Sequence, residues 1–191
     1  MYDTIVYNSP KLIGHIMKKY TALILLFLTV SVFASEIEKK QIIPDLKVKL
    51  MDGQKVTIHE LLKDGPLLID FWATWCKPCK KVMKHLNQYH LDYANKGFKV
   101  LMINQDSPRS MGKVKTFIRS KKFDFLIGLD PNQKLAKKLN GLIMPTLILV
   151  AQDGTIQWRH QGYMPGEEKE IEYQIRLLLG LESESLENNK L

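Results

Sequence analysis

Apolar positions along the chain fall into two periods, and these lay out the elements. Val48, Leu50, Val56 and Ile58 recur at every second residue on either side of Asp52-Gly53, the pattern of a short hairpin with one buried face, which reads as an N-terminal extension ahead of the main domain. Pro66-Leu67-Leu68-Ile69-Asp70-Phe71-Trp72 is then almost unbroken, as expected of a strand covered on both faces. From Pro78 onward, Val82, Leu86, Tyr89 and Tyr93 are spaced by four, three and four with lysines opposite. That spacing predicts a helix with one apolar stripe, and Pro78 fits because it falls in the first turn. A second strand over 98–103 follows Lys96-Gly97. Strand, helix and strand in so short a stretch imply a right-handed parallel crossover and hence an α/β sheet.

Farther on, Val114, Phe117 and Ile118 mark the inner face of a helix over 110–120, and a short strand is expected at 125–129. A helix over 132–139 starts at Asp130-Pro131. Residues 146–151 and 155–160 flank Gln152-Asp153-Gly154, which predicts an antiparallel hairpin at the end of the sheet. A closing helix covers 167–179. Residues 182–191 are rich in Glu, Ser and Asn and have little to bury, so a disordered tail is expected there.

The first 34 residues break from this pattern. Met17-Lys18-Lys19 precedes an apolar run over 22–30, and Val32-Phe33-Ala34 comes just before polar Ser35. This is the three-part grammar of a secretory signal, with cleavage after Ala34 and Met17 a better translation start than Met1. The alternative is an uncleaved anchor, although the run over 20–33 is shorter than the roughly 20 residues that span a bilayer comfortably. The expected organisation is therefore a signal over 1–34, one domain over 35–181 and the tail over 182–191, with the mature protein outside the cytoplasm. The net charge is +8. Without Lys11, Lys18, Lys19 and Asp3 of the leader it becomes +6. The lysines are scattered along helices without interleaved stacking aromatics, which argues against nucleic acid and for a solvated face.

Cys76 and Cys79 are the only cysteines, so a disulfide-rich scaffold is excluded. They stand in Trp75-Cys76-Lys77-Pro78-Cys79, at the point where the buried strand gives way to a helix. There Cys76 faces unpaired backbone N–H groups, and Lys77 and Lys80 add positive charge. Such settings lower a thiol pKa to roughly 3.5–7 from about 8.5, which makes Cys76 the attacking sulfur. Cys79, nearly one turn on and turned inward, is the resolving thiol. Asp70 interrupts an apolar strand six residues upstream, where a carboxyl is expensive to bury without a purpose. It is the candidate proton acceptor for Cys79, against the plainer reading of a hydrogen-bonded strand-end Asp. A zinc site would have to recruit two of His59, His85, His90 and His160, none at paired spacing. An inert disulfide closing so short a loop would add little stability. The chemistry needs no cofactor and no metal.

The segment Asp70-Phe71-Trp72-Ala73-Thr74-Trp75-Cys76-Lys77-Pro78-Cys79 resembles the thioredoxin active site, and Met144-Pro145-Thr146 resembles its companion. The resemblance implies a thioredoxin fold with a central mixed sheet flanked by helices. It also implies a cis Pro145 lying against the cysteine pair, and a substrate chain captured by Trp75, Pro78, Met144 and Pro145. The 41 positions from Asn104 to Pro145 leave room for a central strand-helix insertion, similar to the TlpA/ResA-type extracytoplasmic reductases. Leu129-Asp130-Pro131, Asn140-Gly141-Leu142 and Asp153-Gly154 fit that branch as well. Two departures stand out: Val82 and Lys84 occupy positions where the branch usually carries an acid and a proline.

The resemblance implies exported proteins bearing disulfides as substrates, a membrane thiol as electron donor, and a monomer. It leaves the redox direction open, because potentials across relatives span roughly −270 to −120 mV. A secreted thiol oxidase or isomerase would use the same Cys76. A non-catalytic binding module presenting Trp75, Met144 and Pro145 is the alternative from a different class, and a peroxidase would need a lone cysteine elsewhere.

Overall fold

Strands β1 (Lys47–Leu50) and β2 (Lys55–Thr57) fold back on each other around Asp52-Gly53, pairing Lys47 with Thr57 and Lys49 with Lys55. The Asp52 carboxyl accepts from the Gln54 N–H inside the turn, and Gly53 takes φ +99°, a backbone region that glycine enters at little cost. These features come from a computed structural model that describes residues 40–181. The expected signal over 1–34 and the expected tail over 182–191 lie outside the described residues.

The alternation expected to run to Ile58 stops at Thr57. Thr57 caps helix α1 (Ile58–Leu62), its side chain accepting from the Glu60 N–H at 3.1 Å while the Glu60 carboxylate accepts from the Thr57 N–H at 2.7 Å. This reciprocal pair satisfies two of the helix's free donors. Ile58 is buried from a helix rather than from a strand.

The centre of the molecule is β3 (Leu67–Trp72), in which all six residues are buried. It runs parallel to β4 (Lys99–Asn104) and antiparallel to β6 (Thr146–Val150). Beyond β4 lies parallel β5 (Leu126–Leu129), and beyond β6 lies antiparallel β7 (Ile156–Gln161). Helix α2 (Lys77–Asp92) makes the parallel crossover from β3 to β4, and α3 (Met111–Lys121) makes the one from β4 to β5. Helix α4 (Lys134–Lys138) precedes β6, and α5 (Glu168–Leu178) closes the domain. The sheet order is β2-β1-β5-β4-β3-β6-β7. The N-terminal hairpin is thus part of the main sheet, since β1 pairs antiparallel with β5 through Lys49–Leu129 and Leu50–Gly128.

Strand periodicity divides the core in two. Leu68, Trp72, Val100, Met102, Leu147 and Leu149 face a layer formed by α2, α3 and α5. Leu67, Ile69, Phe71, Leu101, Ile103, Ile148 and Val150 face α1 and α4. Asp70 shares the parity of Leu68 and Trp72, which places it on the α2 face.

Candidate active site

Strand β3 delivers the cysteine motif to the carboxyl end of the sheet, where α/β folds concentrate their chemistry. Cys76 is the N-cap of α2, with extended backbone, and its N–H donates to the Ala73 carbonyl at 3.0 Å. Its Sγ accepts from the Cys79 N–H at 3.3 Å. The two cysteines are disulfide-bonded, with Cα atoms 5.4 Å apart. Cys76 is 5% exposed and Cys79 is fully buried, so the first sulfur is the one that meets solvent. Pro78 lies within the first turn, and Lys77 beside it is exposed. Trp75, just before the pair, is 68% exposed.

The residues that hold this turn in place were not singled out in the sequence. Thr74 donates from its N–H to Asp106 Oδ2 and from Oγ1 to Asp106 Oδ1, each at 2.7 Å. Asn104 Nδ2 donates to Asp106 Oδ2 at 2.8 Å, and the Asp106 N–H donates back to Asn104 Oδ1 at 3.1 Å. The Gln105 N–H donates to the Trp72 carbonyl at 2.9 Å. The signal for this clamp is the polar run Asn104-Gln105-Asp106 directly after an apolar strand, all three residues being buried.

Asp70 is fully buried. Its neighbours across the sheet are Met102 on β4 and Leu147 on β6, and neither carboxyl oxygen has a hydrogen-bond partner among the described residues. Burial pushes the carboxyl well above the usual carboxylate range. Such a group is a stronger base than a carboxylate in water, which narrows the gap to a thiol's ordinary pKa of about 8.5. Cys79 belongs to the apolar layer packed on this same face.

The Met144–Pro145 bond is cis, and Pro145 is buried. Register explains its position: Phe71 pairs with Thr146, so the residue before Thr146 lies beside the end of β3, where the cysteine turn leaves. Met144 is half-buried and packs against both core layers. Several contacts pin this loop from below. Gln105 Nε2 donates to the Gly141 carbonyl and an Arg159 guanidinium N–H to the Leu139 carbonyl, both at 2.7 Å. The Gly162 N–H donates to the Pro145 carbonyl at 2.8 Å, and Thr146 Oγ1 donates to the Ile143 carbonyl. Gly141 lies so close to Phe71 that a Cβ there would fall 2.3 Å from the ring. Leu142 and Ile143 are left 49% and 62% exposed above these braces.

Lys80, in the first turn of α2, reaches toward α3. Its ammonium lies 5.9 Å from the centre of the Phe117 ring on α3, and that ring in turn packs 5.7 Å from Trp72. Three of the histidines weighed as metal ligands are engaged separately: His59 with the Ile43 carbonyl, His90 with the Val100 N–H, and His160 with Glu167.

Comparison with known proteins follows the same outline. The Redoxin family model matches residues 38–175. Thiol-disulfide oxidoreductase ResA of Bacillus cereus is 28% identical over 141 residues, covering 72% of this chain and 80% of that protein. Thioredoxin-like protein YneN of Bacillus subtilis is 30% identical over 134 residues, covering 70% of this chain and 78% of that one. Among solved structures, a putative thiol:disulfide interchange protein DsbE from Chlorobium tepidum superposes with a TM-score of 0.68 at 27% identity, covering 75% of this chain and 99% of that one. With a helix-capping cysteine pair closed as a disulfide at the end of β3, the chain belongs to the Redoxin family, as a TlpA/ResA-like thiol-disulfide oxidoreductase of thioredoxin fold.

Proposed function

We propose that this protein works outside the cytoplasm and reduces disulfides in exported proteins through Cys76 and Cys79. The observation that carries the reading is the disulfide itself: one sulfur at a helix N-terminus with access to solvent, the other buried on the side of Asp70. In the reduced protein, the Cys76 thiolate attacks one sulfur of a substrate disulfide. That bond breaks, a mixed disulfide forms, and the first substrate thiolate leaves. Cys79 then gives its proton to the Asp70 carboxylate and attacks Cys76 Sγ, releasing the second substrate thiolate. Two electrons have passed to the substrate and the Cys76–Cys79 bond has re-formed. A membrane dithiol donor reverses these steps on the protein and leaves as a disulfide.

Each flanking group has a part in this reading. The first-turn N–H groups of α2, with Lys77 and Lys80 nearby, favour the Cys76 thiolate. Trp75, Pro78 and Met144 offer apolar surface, and the backbone beside Pro145 pairs with an extended substrate segment. The leader-like residues 1–34 and the likeness to ResA and DsbE proteins support the location. Trapping tests the roles. Cys79→Ser should accumulate a mixed disulfide with a disulfide-bearing protein, released by dithiothreitol, and Cys76→Ser should accumulate none. Adducts on Cys79 in the Cys76→Ser protein would reverse the assignment.

A further inference from the structure

Helices α2 and α3 carry almost all of their charge as cations, on surfaces that meet at Phe117. On α2, Lys77, Lys80, Lys81 and Lys84 stand at i, i+3, i+4 and i+7, one face of a helix, opposite buried Cys79, Val82, Met83 and Leu86. On α3, Lys115 and Arg119 stand four residues apart, Lys122 caps its C-terminus, and Lys113 and Lys121 lie four residues to either side of Phe117. Phe117 joins the two rows, with Lys80 of α2 5.9 Å and Lys121 of α3 6.0 Å from its ring centre. All nine cations are exposed except Lys80, which is half-buried. Between Phe71 and Phe125 the carboxylates are Asp92, Asp106 and Asp124, the last lying beside Asn87 and His90 in the far half of α2. Asp106 is buried and committed to Thr74 and Asn104, and Asp92 sits at the far end of α2 with Gln88. Among the described residues, none of the nine cations is paired with a carboxylate, whereas elsewhere Lys99 pairs with Asp64 and His160 with Glu167. The acidic groups gather instead on the first turns of α5, where Tyr93 of α2 donates to the Glu172 carboxylate and Tyr89 donates to the Glu168 backbone carbonyl.

We propose that the α2–α3 face is a docking surface for acidic polypeptide, so that the preferred substrates carry Asp and Glu close to the disulfide that Cys76 attacks. This rests on the reduction proposed above and adds the substrate class. The geometry fits a chain partner. Cys76 is 5% exposed and caps α2, so a substrate chain that pairs on one side of its cysteine with the backbone beside Pro145 can carry the residues on the other side past the first turns of α2. Residues two or three positions from that sulfur reach about 7–10 Å at about 3.3 Å per residue. Lys84, eight positions from Cys76, is about 12 Å away along the helix axis. Charge at this range lies about one to one and a half Debye lengths away at physiological salt and well within one at low salt, where it raises encounter rates by roughly tenfold or more.

The experiment uses the full chain, pre-reduced and in excess, with disulfide-linked peptide pairs carrying a fluorophore and a quencher on opposite strands. Three pairs differ only in the residues two and three positions from cysteine: Glu, Gln or Lys. At low salt the Glu pair should be cleaved about tenfold faster than the Gln pair and the Lys pair more slowly than either, with the spread collapsing in 0.5 M salt. The triple change Lys113→Glu, Lys115→Glu, Arg119→Glu should remove the preference. The triple change Lys63→Glu, Lys137→Glu, Lys138→Glu, on the opposite face of the sheet, should leave it. The Glu-to-Lys rate ratio is read within each variant, so altered folding or overall activity does not mimic the effect. Equal rates for all three pairs, or a preference that survives the α3 changes, would overturn the proposal. So would flat peptide ratios together with sedimentation on phosphatidylglycerol vesicles, which would assign the face to a lipid surface. If no pair is cleaved, it is the reduction reading that fails.

Discussion

Thr74 grips Asp106 twice, backbone N–H to Oδ2 and hydroxyl to Oδ1, each at 2.7 Å across 32 residues of chain. The pair ties the turn leading to Cys76 to the end of the neighbouring strand, so the attacking sulfur is held by β4 as well as by its own strand. Asp106→Ala would leave the Thr74 N–H and the Asn104 amide without their acceptor. It should destabilise the oxidised protein by about 1–3 kcal/mol in urea, with Asp106→Asn costing less because one acceptor oxygen remains. An unchanged urea midpoint in the alanine variant would show that the clamp holds nothing.

Asp70 gives a pH dependence whose sign follows from its burial. Its folded pKa lies above the unfolded value of 3.8, so the folded state keeps a proton that the unfolded chain releases. The neutral carboxyl's contribution is intact below about pH 4 and is lost as pH rises through the folded pKa. Asp70→Asn should therefore be more stable than the parent at pH 8, with the difference shrinking toward pH 4. Paired urea titrations at the two pH values check this. Resolution of the mixed disulfide by Cys79 should also slow in the same variant, while attack by Cys76 stays near the parent rate. A variant that loses stability at pH 8 would contradict the burial account.

Gly141 and Gly112 make a matched pair. A methyl at 141 would lie 2.3 Å from the Phe71 ring, whereas at 112 on α3 it meets nothing within 4 Å. Gly141→Ala should cost about 1–3 kcal/mol as the loop before Pro145 lifts from β3, and protein substrates should react more slowly than small disulfides. Gly112→Ala should be neutral or stabilising by about 0.5–1 kcal/mol. Thermal unfolding separates them, and equal shifts would contradict the packing.

The elements that were legible are those whose own residues carry a strong period. The unbroken run into Trp72 and the Val82-Leu86-Tyr89 stripe of α2 lie within a residue or so of their expected bounds, because burial on two faces or one dictates their composition. Helix α1 was missed: five residues are too few for a period, and its signature is the Thr57…Glu60 capping pair. The helix expected over 132–139 shortens to 134–138, because the Asp130 carboxylate accepts from the Lys134 and Ala136 N–H groups and sets its start. At the site, Cys76, Cys79 and Asp70 were nameable from local order alone. Asp106, Gln105 and Phe117 act across 32 or more positions of chain, and only strand register brings them to the turn.

The reduction potential of the Cys76–Cys79 couple decides the direction of electron flow, and it is obtained by equilibrating the protein with dithiothreitol or glutathione buffers and counting free thiols. A reversible two-electron couple at about −250 mV or lower is expected, so that electrons flow onward to disulfides of exported chains. A value near about −120 mV would make the protein an oxidant and contradict the proposed direction, and the absence of any reversible couple would contradict the redox role altogether.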